Sequence, residues 1–166
     1  MNVPRLPFAR WHGESLAGKR FLMWCEQGFG DQIQFCRYVS LLRAAGVSQV
    51  ELVCPPPLCS LLAGLDGVDR VIPFGTETTF SRPDYWALPL DLPELFGTTI
   101  ANIPARLPYL SADDGLARRW AAQLPATGLR VGLAWKGSPA HANDGERSLP
   151  ALTALAPLWQ VAGVRF

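Results

Sequence analysis

Six residues carry the chemistry legible in this sequence: Gly28, Gly30 and Asp31 in one short stretch, and Lys136, Arg147 and Ser148 in another. In the first stretch an apolar run ends at Trp24-Cys25, two glycines follow, and the pattern then changes to helical period. Glycine reaches backbone angles denied to other residues, and without a side chain it lets a ligand come close to the main chain. Asp31 falls at the helix start, as N-cap or in the first turn, where an acceptor satisfies free N–H groups and a negative charge suits the dipole. Two readings stand side by side. One is a tight turn with a capping carboxylate; the other is a ligand loop at the carboxyl end of a first strand, where open α/β sheets bind. The stretch lacks the third glycine of a dinucleotide fingerprint and the Gly-Lys-Ser/Thr of a P-loop. In the second stretch, Lys136 follows an apolar strand and leads into a glycine-containing loop, a place to meet phosphate. Arg147 precedes the last helix and offers a planar fork to phosphate oxygens. Ser148 and the amides after it would add a helix N-terminus facing an anion. On charge alone, each cation reads just as well as a solvated surface residue.

The elements that must position these residues follow from hydrophobic period and turn chemistry. Residues 1–17 hold Pro4, Pro7, Trp11, His12 and Gly13 without periodicity and read as an extended lead-in, with Trp11 packed on the domain. Residues 19–25 form a short buried strand, and residues 31–45 a helix with Ile33, Phe35, Tyr38, Val39, Leu41 and Leu42 on one face. Gly46 stops that helix, residues 49–54 form a second strand, and the three prolines that follow lead into a short helix over 58–65. Strands are expected over 68–74 and within 84–90, an exposed loop over 75–83, and a helical turn over 92–96. Residues 100–110 hold two prolines and run over the surface. Ser111 or Asp113 caps a helix whose apolar face includes Leu116, Trp120, Ala121 and Leu124. Residues 129–135 read as a strongly apolar strand, 136–147 as a loop, and a last helix opens at Ser148 or Leu149 with Pro150 in its first turn. Residues 164–166 begin one more strand. The expectation is therefore an α/β protein built on a parallel sheet with helices on both faces. Because the last strand stops unfinished, a shortened piece or an interrupted gene product is expected, with self-association through that strand.

Composition narrows the function classes. At 166 residues, 49% hydrophobic and 17% charged, the chain suits a packed globule rather than a disordered segment. A formal charge of +1 gives no electrostatic reason to expect nucleic acid as a partner. No run approaches the roughly 20 apolar residues needed to span a bilayer, and no secretory leader is visible. Cys25, Cys36, Cys54 and Cys59 match neither a zinc knuckle nor a CxxC pair, so reduced and mostly buried thiols in a cytoplasmic protein are expected. His12 and His141 have no ligand-spaced partner, and no metal site is expected.

Several ordered segments also carry a resemblance. Glu26-Gln27-Gly28-Phe29-Gly30-Asp31-Gln32-Ile33-Gln34-Phe35, followed by Arg37-Tyr38, resembles a segment of bacterial glycosyltransferases joined to tetratricopeptide repeats, and its Gly-Asp pair looks like that of lipopolysaccharide heptosyltransferases. Pro104 to Leu110, Val131 to Pro139 and Asn143 to Pro150 continue the likeness. The resemblance implies the two-Rossmann architecture called GT-B. On that mapping, residues 1–17 are a linker, 18–125 the acceptor-side domain and 129–166 the incomplete start of the nucleotide-sugar domain. It implies a metal-independent, inverting transferase in which Asp31 is the base for the acceptor hydroxyl, Glu26 gives polar support, and Lys136, Arg147 and Ser148 meet the donor diphosphate. The nucleotide-sugar, of ADP-heptose or UDP-GlcNAc type, is a substrate, so no cofactor is implied; the acceptor is a glycan or a protein. Arg37 and Tyr38 read as structural or acceptor-binding. The alternative is a Rossmann-like binding or scaffold module without catalysis, and little transferase activity is expected of the isolated chain.

Overall fold

A computed structural model describes residues 4–75, 80–139 and 141–166. The chain divides into two compact units, Met1–Asp114 and Gly115–Phe166.

Unit 1 is built on a five-stranded, all-parallel sheet. Its strands are β1 (Ala9–Arg10), β2 (Arg20–Trp24), β3 (Gln49–Cys54), β4 (Arg70–Pro73) and β5 (Tyr85–Ala87), in the order β1-β5-β2-β3-β4. β2 is central, pairing Phe21 with Val50 on one side and with Tyr85 on the other. The long helix expected after β2 exists but starts two residues earlier and is broken in the middle: α1 (Phe29–Phe35), a 3-10 turn (Cys36–Tyr38) and α2 (Val39–Ala44). Gly46, at φ +87°, ends it in the left-handed conformation that glycine tolerates. α3 (Pro56–Ala63) takes its prolines into the first turn, where a missing N–H costs nothing. After β5, a 3-10 turn (Pro89–Asp91) runs into α4 (Leu92–Leu95).

The period-2 alternation of the strands sorts the core into two faces. Phe21, Met23, Val50, Leu52 and Cys54 point to the face where Val39 and Leu42 of α2, Leu58 and Leu62 of α3 and Leu92 of α4 are buried. Leu22, Val53, Ile72 and Trp86 point to the other face, where the covering residues are Leu6, Phe8, Phe74 and Phe80. The expectation of helices on both faces is corrected here: in unit 1 the helices share one face. The reason lies in the connection from β4 to β5. It must return past β3 and β2 to reach the far side of the sheet, and the described residues of its polar, turn-forming sequence form no helix. Ser81 accepts from Arg20 Nη1 of β2 at 2.7 Å and donates its amide to Glu51 Oε2 of β3 at 3.2 Å. Part of the exposed loop expected over 75–83 falls on residues 76–79, outside the described residues. The lead-in is more than a linker, since β1 pairs with β5 and Trp11 is buried against Phe21 and Phe96.

Unit 2 departs further from expectation. α5 (Asp114–Ala121), which opens it, leaves Leu116 and Trp120 exposed, and Leu124 beyond it is exposed as well. Only β6 (Leu129–Arg130) of the strand expected over 129–135 is formed, and Leu129 is exposed. β6 pairs in parallel with β7 (Val164–Arg165). The last helix opens neither at Ser148 nor at Leu149: α6 (Asp144–Arg147) precedes them, and a 3-10 segment, Leu152–Gln160, follows with Pro157 inside it. Proline there removes a helical donor, which suits short 3-10 turns better than a regular helix. None of the described residues of unit 2 is buried. Among the described residues no helix is long and apolar enough to cross a membrane.

Candidate functional site

The chain leaves β2 toward β3, on one side, while β5 lies on the other side of β2. The carboxyl ends of β2 and β5 therefore flank the point where strand order reverses, and crevices at such points are where open parallel sheets bind ligands. The turn after β2 carries Glu26, Gln27 and Gly28 into α1, and α1 lies against the Pro89–Asp91 turn that follows β5.

Gly28 is the N-cap of α1, with extended backbone at φ −60° and ψ 165°, and no side chain caps the helix. Asp31 thus takes the first-turn alternative, third in the helix. Neither Gly28 nor Gly30 has positive φ. A Cβ on Gly30 would meet nothing within 4 Å, and one on Gly28 would lie 3.4 Å from Asp31 Oδ2. The two glycines are thus not demanded by the backbone; what they provide is bare main chain at the mouth of the crevice, with Phe29 half-exposed between them. If a ligand rests there, Gly30→Ala should raise stability by about 0.5–1 kcal/mol through helix propensity while weakening ligand binding. Paired thermal melts and ligand titrations check both halves; unchanged affinity in the stabilised variant rules out close approach at this residue.

Two acceptors at this junction have no partner. Gln32 is 1% exposed; its Nε2 donates to the Gln27 carbonyl at 2.6 Å, and its Oε1 is buried without a hydrogen bond. Glu26 Oε2 is also buried and unpartnered. Orphaned buried acceptors cost free energy that a ligand donor can recover. Burial pushes the Glu26 carboxyl above its ordinary range, and the Asp91 and Asp31 carboxylates push it the same way. Asp91 is held by Arg10, whose Nη2 donates at 2.7 Å, and accepts the Leu88 amide at 3.1 Å. Asp31 and Asp91 thus lie near enough to act on the Glu26 carboxyl, with Gln32 hydrogen-bonded to the same turn and Arg10 held on Asp91. Among the described residues no cluster of metal-ligating side chains forms.

Because the folded Glu26 holds its proton more tightly than the unfolded chain does, its ionisation works against folding. Stability should fall as pH rises from the ordinary carboxyl range through the raised value, and be flat above it. Urea melts across pH 4 to 8 should show this decline in the wild type and a weaker one in Glu26→Gln; identical profiles would remove Glu26 as its source.

Sequence reading treated Glu26 as support and passed over Asp91, Arg10 and Gln32. Only the topology brings β1 and the β5 turn beside β2, so no local signal marked Arg10 or Asp91, whereas Gln32 lies within the strand–turn–helix stretch itself. Arg37 and Tyr38 make structural contacts: Arg37 stacks on the Tyr109 ring at 4.9 Å and donates to the Pro104 carbonyl, and the Tyr38 hydroxyl donates to Thr98 Oγ1 at 2.9 Å. A groove of about 570 Å³ lies elsewhere, lined by Ser40, Arg43, Asp66 and Arg106. Its Arg43 is already spent on Asp69 and on the Gly67 and Val47 carbonyls, so the groove offers less unsatisfied chemistry than the β2 crevice.

In unit 2, the segment from Trp135 to Leu149 is closed by the Leu149 amide on the Trp135 carbonyl at 2.9 Å. Ser148 Oγ accepts the Gly137 amide at 2.8 Å and donates to Asp144. A Cβ on Gly137 would stand 3.2 Å from both Arg147 Nη2 and Asp144 Oδ1, so Arg147, Ser148 and Asp144 converge on Gly137. Lys136 is exposed, its Nζ 6.0 Å from the Trp135 ring centre. Ser148 caps the carboxyl end of α6 and does not open a helix, which corrects the helix-N-terminus reading.

Comparison with known proteins gives one relative to report. The chain is 31% identical over 170 residues to Protein FlbA of Caulobacter vibrioides, a match that covers 90% of this chain and 28% of the relative. The chain thus spans under a third of that protein's length. No family model matches, and no solved structure matches. Membership in the repeat-linked glycosyltransferases, read from the motifs, is therefore corrected: the matched relative's name is not that of a glycosyltransferase, and no family model supports the assignment. The segments that carry the resemblance centre on a glycine turn and an acidic helix start, features short enough to recur at unrelated strand–turn–helix junctions.

Proposed function

We propose that unit 1 binds a hydroxyl-rich ligand at the carboxyl ends of β2 and β5, and that the protein uses this site to transfer a sugar from a nucleotide-sugar donor to a glycan or protein acceptor. The observation that carries the reading is the pair of orphaned buried acceptors, Glu26 Oε2 and Gln32 Oε1, beside the bare turn at Gly28 and Gly30. A sugar offers several hydroxyl donors to such acceptors, and Phe29 offers an apolar face to the ring. Asp31 is the proton acceptor in this reading, with Glu26 orienting the hydroxyl. In unit 2, taken by itself, Lys136 and Arg147 are the cations suited to a diphosphate, of ADP-heptose or UDP-GlcNAc type. Four free thiols suit a reducing compartment such as the cytoplasm, and the unpaired outer edges of the β6–β7 pair suit self-association.

Ligand-observed NMR with N-acetylglucosamine and with a heptose, on the wild-type and Gly30→Ala proteins, tests the binding step. Saturation transfer that is strong in the wild type and reduced in the variant is expected; none to either sugar at millimolar concentration overturns the proposal. A second reading, a binding module without catalysis, draws on one observation. Arg10, the cation at the crevice, is tied to Asp91, so the crevice by itself offers little to a diphosphate. Binding of sugar without release of nucleotide from either donor would favour it.

A further inference from the structure

Two sulfurs stand together at the carboxyl end of β3. Cys54, the last residue of the strand, is buried; Cys59, one turn into α3, is half-buried; their Sγ atoms are 3.6 Å apart. The link between them begins with Pro55-Pro56-Pro57, whose rings fix φ and hold the turn from strand to helix, so rigid backbone sets this proximity. The other two thiols are less available, since Cys25 and Cys36 are fully buried and Cys36 Sγ donates to the Ile33 carbonyl at 3.1 Å.

We propose that Cys54 and Cys59 are a reversible redox modification site that closes to a disulfide with a peroxide as oxidant. Cys59 is the thiol that solvent reaches, so it reacts first. Its thiolate attacks the peroxide, an S–O bond forms as the O–O bond breaks, and Cys59 sulfenic acid and water result. The Cys54 sulfur then attacks the Cys59 sulfur; the S–S bond forms, the S–O bond breaks, and the departing hydroxide leaves as water with the Cys54 proton. The two thiols give up two electrons in all, and one peroxide becomes two waters. Burial pushes the Cys54 thiol up to about 12, so Cys54 is not the sulfur that meets the peroxide first. The sulfurs must close by about 1.5 Å to reach disulfide length, a shift the half-buried Cys59 can make by rotating its side chain. The bridge would draw the start of α3 onto the end of β3, whose Val53 carbonyl accepts the Cys25 amide at 3.0 Å just ahead of Glu26.

The reduced protein is treated with hydrogen peroxide and its remaining thiols are alkylated after unfolding. Loss of two of the four thiols, a mass lower by two hydrogens, reversal by dithiothreitol and a Cys54–Cys59 cross-link in the peptide map are expected. Cys59→Ser should keep its three thiols, and Cys54→Ser should stop at a Cys59 sulfenic acid that dimedone traps. Phenylarsine oxide, which bridges paired thiols, should bind the wild type and neither variant. Survival of all four thiols at a peroxide concentration that oxidises free cysteine overturns the proposal, as does a bridge between other cysteines or between chains. Cys59→Ser alone decides the matter if Cys54→Ser does not fold, because continued loss of thiols in it contradicts the assigned order.

Discussion

In a longer protein that contains this chain and transfers a sugar, replacing Asp31 with Asn should slow that transfer by about 10² to 10⁴ while leaving the melting temperature nearly unchanged. The structure sharpens this test. Gly28 holds the N-cap and no side chain caps α1, so Asp31 contributes to folding only through its charge in the first turn, worth about 0.3–1 kcal/mol. Asp31→Ala and Asp31→Asn both lose that charge and should cost the same small amount. Were Asp31 only a helix-start residue, both variants would turn over at the wild-type rate. Were it the base, both would be slow, because amide and methyl alike fail to accept a proton. Turnover and thermal melts on the two variants separate the cases: near-normal rate in a folded Asp31→Asn protein removes Asp31 from the chemistry. The neighbouring Glu26 then becomes the candidate, since its carboxyl is already displaced toward neutral pH by burial.

What the sequence disclosed and what it withheld divide along local and non-local physics. The strand at residues 49–54 and the stop at Gly46 were readable because hydrophobic period and a left-handed glycine are properties of a few consecutive residues. Glu26, Gly28 and Asp31 were readable as a junction for the same reason. Asp91 and Arg10 were not, because what makes them neighbours of Glu26 is the order β1-β5-β2, set by a return crossing no local pattern encodes. Unit 2 misled the period analysis in another way. Leu129 to Trp135 is apolar enough for a buried strand, but the chain forms a strand only at its first two residues, and none of the segment is buried. Apolar composition names a candidate for burial; a partner surface decides whether burial happens. The correction of the family reading has a related origin, since motifs of a few residues recur at unrelated junctions.

Arg70→Ala should destabilise unit 1 by about 3 kcal/mol, the low end of the range for breaking a buried ion pair. Glu51 sits in the centre of the helix-free face, 1% exposed, across from Leu22 on β2 and Arg70 on β4. Its Oε1 accepts from Arg70 Nη1 at 3.3 Å and its Oε2 accepts the Ser81 amide at 3.2 Å. Removing the guanidinium takes the ionic partner from a carboxylate that is buried in the folded protein, and the burial cost of that charge is then largely unmatched. The low end applies because the Arg70 side chain is 45% exposed and water can enter in its place. Arg70 has a further interaction of its own, so the single variant does not isolate the pair. A double-mutant cycle does: Glu51→Gln keeps an acceptor for Ser81 but carries no charge, so adding it to Arg70→Ala should recover a large part of the loss. Denaturant melts of the four proteins give the coupling. A cost under about 1 kcal/mol for Arg70→Ala, as for an ordinary surface pair, would mean that the loop crossing the second face shields Glu51 far less than its burial indicates. The β4–β5 connection would then be a loose cover in place of the layer that a helix provides in a doubly wound sheet.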